Sequence, residues 1–149
     1  MSLDAESILG LADDTPAVQQ FVAEHLGTFH GPLDPEDDDG VRWVQLSPRA
    51  TPTDRYVARI AWAQYPHAAP SVMFVDGVRG ALGVASAWPK IAGYRAPGDI
   101  CMPFTAEGYN VHPEWRQGPT AWQTTGNPFL RVVVQLQDDL DNRYEGAAA

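Results

Sequence analysis

Apolar residues fall at helical spacing near both ends of the chain and alternate in the stretch between. Val18, Phe21, Val22, Leu26 and Phe29 recur at intervals of three and four, which predicts one apolar face of an amphipathic helix. Thr15 stands in front of them as an N-cap, and Pro16 suits the first helical position. Ser2 to Leu11 has weak helical spacing and predicts at most a short helix, so residues 1–14 read as an N-terminal extension. Near the other end Phe129, Val133, Leu136, Leu140 and Tyr144 mark a second helical face, widened by Leu130 and Val134. Asn127 caps that helix and Pro128 opens it. The small residues after Glu145 predict a frayed tail, 146–149.

The middle of the chain has a period of two. Tyr56, Ala58, Ile60 and Trp62 alternate with Val57, Arg59 and Ala61, so Arg55 to Ala63 is a strand. Val41 to Leu46 is another, with Val41, Trp43 and Gln45 on one face, and Ser71 to Val75 is a third. Tyr65-Pro66-His67-Ala68-Ala69-Pro70 separates the last two, because proline cannot donate to a ladder. Gly31 to Gly40, with two prolines and a block of acidic residues, predicts a solvated loop. Its spacing is not that of a calcium loop. Gly77 to Pro97 predicts no clear element, and Gly108 to Gly126 reads as irregular. Helix, antiparallel strands, irregular cysteine-bearing segment and helix make an α+β fold, with the helices on one face of a meander. A single domain is expected over residues 15–145.

Composition narrows the function. A chain of 149 residues, 44% of them hydrophobic, matches one globular domain. Ten Lys and Arg against nineteen Asp and Glu give a net charge of -9. That balance opposes binding to a nucleic-acid backbone or to an anionic membrane surface. There is neither a basic start with a long apolar run nor an apolar stretch of membrane-spanning length, so a soluble, cytoplasmic protein is expected. The acidic stretch Asp34–Asp39 is a candidate surface for a basic partner.

One cysteine, Cys101, excludes an internal disulfide and any cysteine-rich zinc site. It follows a Pro97-Gly98 turn and precedes Pro103, so it lies outside helix, where a thiol can be exposed and nucleophilic. The alternative is a buried small hydrophobe. His112, eleven residues on, is a candidate base or orienting group. His25, His30 and His67 are scattered and no H-x-x-x-H pair occurs, so neither metal nor other cofactor is expected.

Two motifs occur in a telling order. Tyr65-Pro66-His67-Ala68-Ala69-Pro70 with the Val72-Met73-Phe74 strand resembles the Y-P-x-x-x-P signature of ubiquitin-conjugating enzymes. Gly98-Asp99-Ile100-Cys101-Met102 resembles their G-x-I-C-L segment, whose cysteine forms the thioester. The distance from Tyr65 to Cys101 is close to that family's. Trp115 or Trp122 stands in for its later tryptophan, and the resemblance runs from about Thr15 to Tyr144. Where the family carries a His-Pro-Asn triplet, this chain has Ile91, Ala92 and Gly93. In this it is similar to divergent bacterial relatives, in which a histidine downstream of the cysteine is thought to compensate. His112 occupies that place.

The resemblance implies a UBC-like fold and a thioester on Cys101, accepted from an activating enzyme that spends the ATP. A ubiquitin-like modifier would be the cargo, and an amine on a protein target the acceptor. Aminolysis passes through an oxyanion, for which His112 or Asn110 is a candidate donor. Asp99 is a candidate for deprotonating the incoming lysine, beside its simpler role as a turn aspartate. Two other readings compete. A UBC-like module without activity would bind proteins, and a Cys-His hydrolase would use Cys101 and His112.

Overall fold

Asp4 starts the first helix. Its carboxylate accepts the Ser7 N–H at 2.8 Å, and this bond holds the Asp4 pKa below its ordinary value. In the computed structural model, which describes Ser2–Ala149, the helix (α1, Ala5–Glu24) then runs unbroken for 20 residues. The expected start at Thr15 is therefore wrong. Thr15 is internal, its hydroxyl donating to Leu11 O at 2.6 Å, and Pro16 lies inside the helix. Proline there removes its own N–H bond and crowds the carbonyl one turn back. Burial of Leu11, Val18 and Val22 in the core holds the helix across it.

The helix also ends earlier than its apolar spacing predicts. Gly27 N–H returns to Val22 O at 2.9 Å, and Leu26 takes a left-handed φ of 61°. Phe29 then lies on a strand, β1 (Thr28–His30), rather than on the helix. A Cβ on Gly27 would overlap the Gln45 carbonyl, so only glycine permits this turn against the sheet.

β1 opens a four-stranded antiparallel meander with β2 (Val41–Leu46), β3 (Tyr56–Ala61) and β4 (Ser71–Val75), in the order β1-β2-β3-β4. Val44 pairs with Ala58 and Ala58 with Phe74, which aligns one buried face across the sheet. The expected alternation on β3 is present: Tyr56, Ala58 and Ile60 are buried between half-buried neighbours. Val41, Trp43 and Val75 form a smaller cluster on the other face. The loop before β2 is not wholly solvated. Asp38 is 5% exposed and accepts from Arg42, itself buried, at 2.9 and 2.7 Å. Burial opposes charge on Asp38, but bonds from Arg42 and from Gly40 N–H outweigh it and lower its pKa.

Beyond the sheet, Trp88 is fully buried against Phe74, with ring centroids 5.4 Å apart. A two-stranded hairpin follows, β5 (Tyr94–Arg95) with β6 (Asp99–Ile100). The stretch expected to be irregular holds a short helix, α2 (Ala106–Val111), then 3-10 turns over Pro113–Arg116 and Gly118–Thr120. The last helix, α3 (Pro128–Asn142), begins as expected, with Asn127 accepting from Leu130 N–H at 2.9 Å. It lays Phe129, Val133, Leu136 and Leu140 into the core. The tail expected to fray is hydrogen-bonded: Lys90 N–H reaches Gly146 O at 2.8 Å and Ala148 N–H reaches Trp88 O at 2.9 Å. Among the described residues no helix is long and apolar enough to cross a membrane.

Leu11→Ala should cost about 2–5 kcal/mol in urea unfolding, the usual effect of emptying a closed core site. A loss near zero would mean that the first half of α1 is not seated. For Asp38, the lowered folded pKa means that its contribution is present above the unfolded carboxyl value, about 3.9, and lost as pH falls through the folded one. Asp38→Asn should therefore cost about 3–5 kcal/mol at pH 7 by stranding buried Arg42. It should also flatten the acid limb of the stability curve, which equilibrium unfolding between pH 3 and pH 7 will read.

Candidate active site

Cys101 stands where the small hairpin leaves the core. The turn Ala96-Pro97-Gly98 closes the hairpin, with Gly98 N–H on Arg95 O at 2.8 Å. Cys101 N–H then donates to Gly93 O at 2.8 Å, extending the pairing one residue beyond β6. Ile100, just before the thiol, is fully buried. Tyr94, opposite it, is buried against Phe74 and donates its hydroxyl to Asp139 of α3 at 2.6 Å. Burial raises the Tyr94 pKa, helped by the Asp139 charge, and burial raises that of Asp139. A neutral phenol donating to a carboxylate is the form this site favours.

The far side of the loop is equally constrained. Thr105 caps α2 by accepting the Gly108 N–H at 3.0 Å, while its hydroxyl donates to Ile100 O at 2.5 Å. A Cβ on Gly108 would overlap the Met102 carbonyl, so α2 rests directly on the residue after the cysteine. Cys101 is thus held between two fixed points and remains half-buried. Among the described residues no group hydrogen-bonds its sulfur, and no three His, Cys, Asp or Glu side chains gather as a metal would need.

The residues expected to assist the thiol make their bonds elsewhere. Asp99 is gripped by Arg95 through two bonds of 2.7 and 2.8 Å across the hairpin. Those bonds, then the Asp99 charge and in smaller part Cys101, raise the Arg95 pKa. Asn110 and His112 sit at the far end of α2, a helix of six residues that rises about 9 Å. Asn110 accepts from Arg116 at 3.3 Å. His112 meets Glu114 at 3.0 Å and stacks on Trp115, centroids 4.1 Å apart. Arg95, Tyr94 and Thr105 had no place in the sequence reading. A signal existed for Arg95 alone: a Pro-Gly turn between Arg95 and Asp99 sets those side chains across a tight hairpin.

Gly93 stands where the sequence resemblance would place an asparagine. Its φ of +91° suits glycine, and a Cβ there would lie 2.6 Å from the Met102 sulfur. An oxyanion donor from this position is confined to the backbone. Beside the cysteine loop a groove of about 630 Å³ opens at Pro103 and Phe104 and runs between Trp122 and the exposed side of α3 at Leu130 and Val134. Tyr109 braces it, donating to Pro103 O at 2.8 Å.

Comparison of the chain with protein-family models, with curated proteins and with solved structures finds no match.

Iodoacetamide should alkylate Cys101 in the native protein, read by intact mass at the single thiol. His112→Ala should leave the pH dependence of that rate unchanged, because the imidazole is engaged by Glu114 and Trp115. Labelling only after denaturation would rule out a resting nucleophile here.

Proposed function

We propose that Cys101 carries the acyl group of a ubiquitin-like modifier as a thioester and passes it to an amine. The observation that carries the reading is the placement of the chain's one thiol. It is half-buried, free of hydrogen bonds at sulfur among the described residues, and fixed at the exit of a hairpin pinned to the core through Ile100 and Tyr94. Support also comes from the order of elements, since helix, antiparallel meander, cysteine-bearing segment and closing helix follow one another as the resemblance implies.

In the first step the Cys101 thiolate attacks the carbonyl of an activating enzyme's thioester. A carbon–sulfur bond forms to Cys101, and the activating enzyme's thiolate leaves. This exchange between similar sulfur leaving groups needs an accessible thiolate. In the second step an amine attacks the same carbonyl, Cys101 leaves as thiolate, and the amine nitrogen loses its proton to solvent. With Gly93 lacking a side chain, stabilisation of the oxyanion falls to backbone N–H groups or to the incoming partner. The groove that opens at Pro103 is the path this reading gives to a target or modifier tail. A reducing, ATP-containing compartment, the cytoplasm, fits these requirements.

Gly93 is also the observation that favours the second reading, a protein-binding module without transfer activity. A Cys-His hydrolase has less support, since His112 is stacked on Trp115 and bonded to Glu114.

A peptide ending in Gly-Gly, presented as its mercaptoethanesulfonate thioester, tests the proposal. Native protein should gain the acyl mass on Cys101, dithiothreitol should remove it, and Cys101→Ala should show none. A native thiol that iodoacetamide reaches but the thioester never acylates would favour the binding module.

A further inference from the structure

A cleft of about 390 Å³ runs between α1 and the loop from Gly31 to Asp38. Ile8, Ala12 and Pro16 of the helix line it on one side, Pro32 and Pro35 of the loop on the other. Both segments carry one sign of charge. The first 40 residues hold ten of the nineteen Asp and Glu in the chain and none of its ten Lys and Arg. Asp34, Glu36, Asp37, Asp38 and Asp39 of the loop belong to that set. Among the described residues, Asp38 is the one member of these five in a salt bridge. Asp34, Glu36 and Asp37 are exposed.

A buried group is a separate observation at the same cleft. Arg42 lines it although the residue is only 3% exposed. Its two Nη atoms donate to Asp38 and to Val41 O, which leaves the Nε–H buried and without a partner. Gly31, another lining residue, touches this part of the side chain. A Cβ there would lie 3.0 Å from Arg42 Cδ, the carbon bonded to Nε. The unpaired N–H therefore lies toward the cleft-lining glycine, while the paired Nη atoms point to Asp38. On the helix side, Pro16 has no N–H to give the Ala12 carbonyl, so that wall presents a backbone acceptor. An unused donor and an unused acceptor are the two groups that a peptide unit pairs with.

The chemistry of the occupant follows from the charge and its spread. Among the described residues no three acidic side chains gather as a metal ion would need, so the carboxylates suit cations carried along an extended chain. Nucleic acid and anionic lipid are repelled by the same charge. A second copy of this chain offers no basic run, since no two of its Lys and Arg are adjacent in sequence. Between the acidic residues, the proline and aliphatic walls favour an apolar side chain.

We propose that this cleft binds an extended basic segment of a partner protein, with Lys or Arg on either side of a short apolar stretch. The apolar residues lie against Ile8, Pro16 and Pro32, a backbone carbonyl accepts the Arg42 Nε–H, and the flanking cations meet Asp34 and Glu36. Complementary charge speeds the encounter and makes it salt-dependent. No residue of the Cys101 loop takes part.

Fluorescence anisotropy of a labelled Lys-Arg-Leu-Pro-Arg-Lys peptide with the full chain tests the assignment. The peptide should bind, and more tightly than hexalysine. Raising salt from about 0.1 M to about 1 M shortens the screening length from about 10 Å to about 3 Å and should weaken it. Asp34→Asn with Glu36→Gln should weaken it about threefold to tenfold, as loss of exposed ion pairs does. Ala12→Phe, at an exposed helix position, fills the cleft without changing charge. It should weaken the peptide by about tenfold or more while leaving the melting temperature near that of the parent chain. No binding at millimolar peptide overturns the proposal. Binding undiminished in a folded Ala12→Phe variant also overturns it, because the peptide would then lie on the acidic surface outside the cleft. Hexalysine binding as tightly as the mixed peptide would remove the apolar subsite.

Discussion

The apolar face of α3, with Phe129, Val133, Leu136 and Leu140 in the core, seats this helix against the sheet and so fixes where its polar residues emerge. Asp139 points to Tyr94 and holds the cysteine hairpin. Gln137 and Asp141 point to Ser47 and Arg49 and hold the β2–β3 turn. Asn127, at the helix start, caps it and also donates to Asp14 O of α1 at 3.0 Å. Tyr65 completes the clamp: its hydroxyl donates to Asp14 and accepts Phe129 N–H, while its ring meets Trp62 edge-on at 4.7 Å. Burial of one helical face thereby positions two surface regions on opposite sides of the same helix.

The cysteine loop is built as a rigid stand rather than as a constellation of assisting groups. Rigidity comes from Ile100, from the Tyr94–Asp139 bond and from Gly108 lying on Met102. Arg95 and Asp99 pair with each other across the hairpin. In the proposed transfer, such a site would supply a placed thiol and leave the remaining groups to backbone or partner. That division suits exchange between thioesters, where sulfur replaces sulfur, better than it suits unaided hydrolysis, which must also activate water.

Local signals were strongest where one residue type meets one backbone requirement. Asn127-Pro128 marked the start of α3, and the alternation from Tyr56 marked β3, because capping and pleating are short-range effects. They misled where a residue suits two places. Thr15-Pro16 has the chemistry of a helix start yet lies within α1, since buried Leu11 on one side and Val18 on the other outweigh a lost hydrogen bond. Leu26 and Phe29 continue the helical spacing, but pairing of Phe29 with Val44 adds a strand to the sheet instead. Asp38 looked like one more acidic loop residue until Arg42, turned inward on β2, drew it into the interior. In the site, Cys101 was legible as a lone thiol outside helix, whereas Arg95 became relevant only through its pairing with Asp99.

From the sequence alone came the α+β class, three of the meander's strands, the closing helix, the single thiol and its loop setting. Each follows from contacts within a few residues or from composition. Tertiary structure decided which side chains meet over long separations: Tyr94 with Asp139, Tyr65 with both helices, Arg49 with Asp141. It also decided that Asn110 and His112 bond away from Cys101. The physical reason is the burial of α3. A helix can be recognised from its own periodicity, but the direction of its polar residues depends on which face the sheet accepts, and that choice is made by the core as a whole.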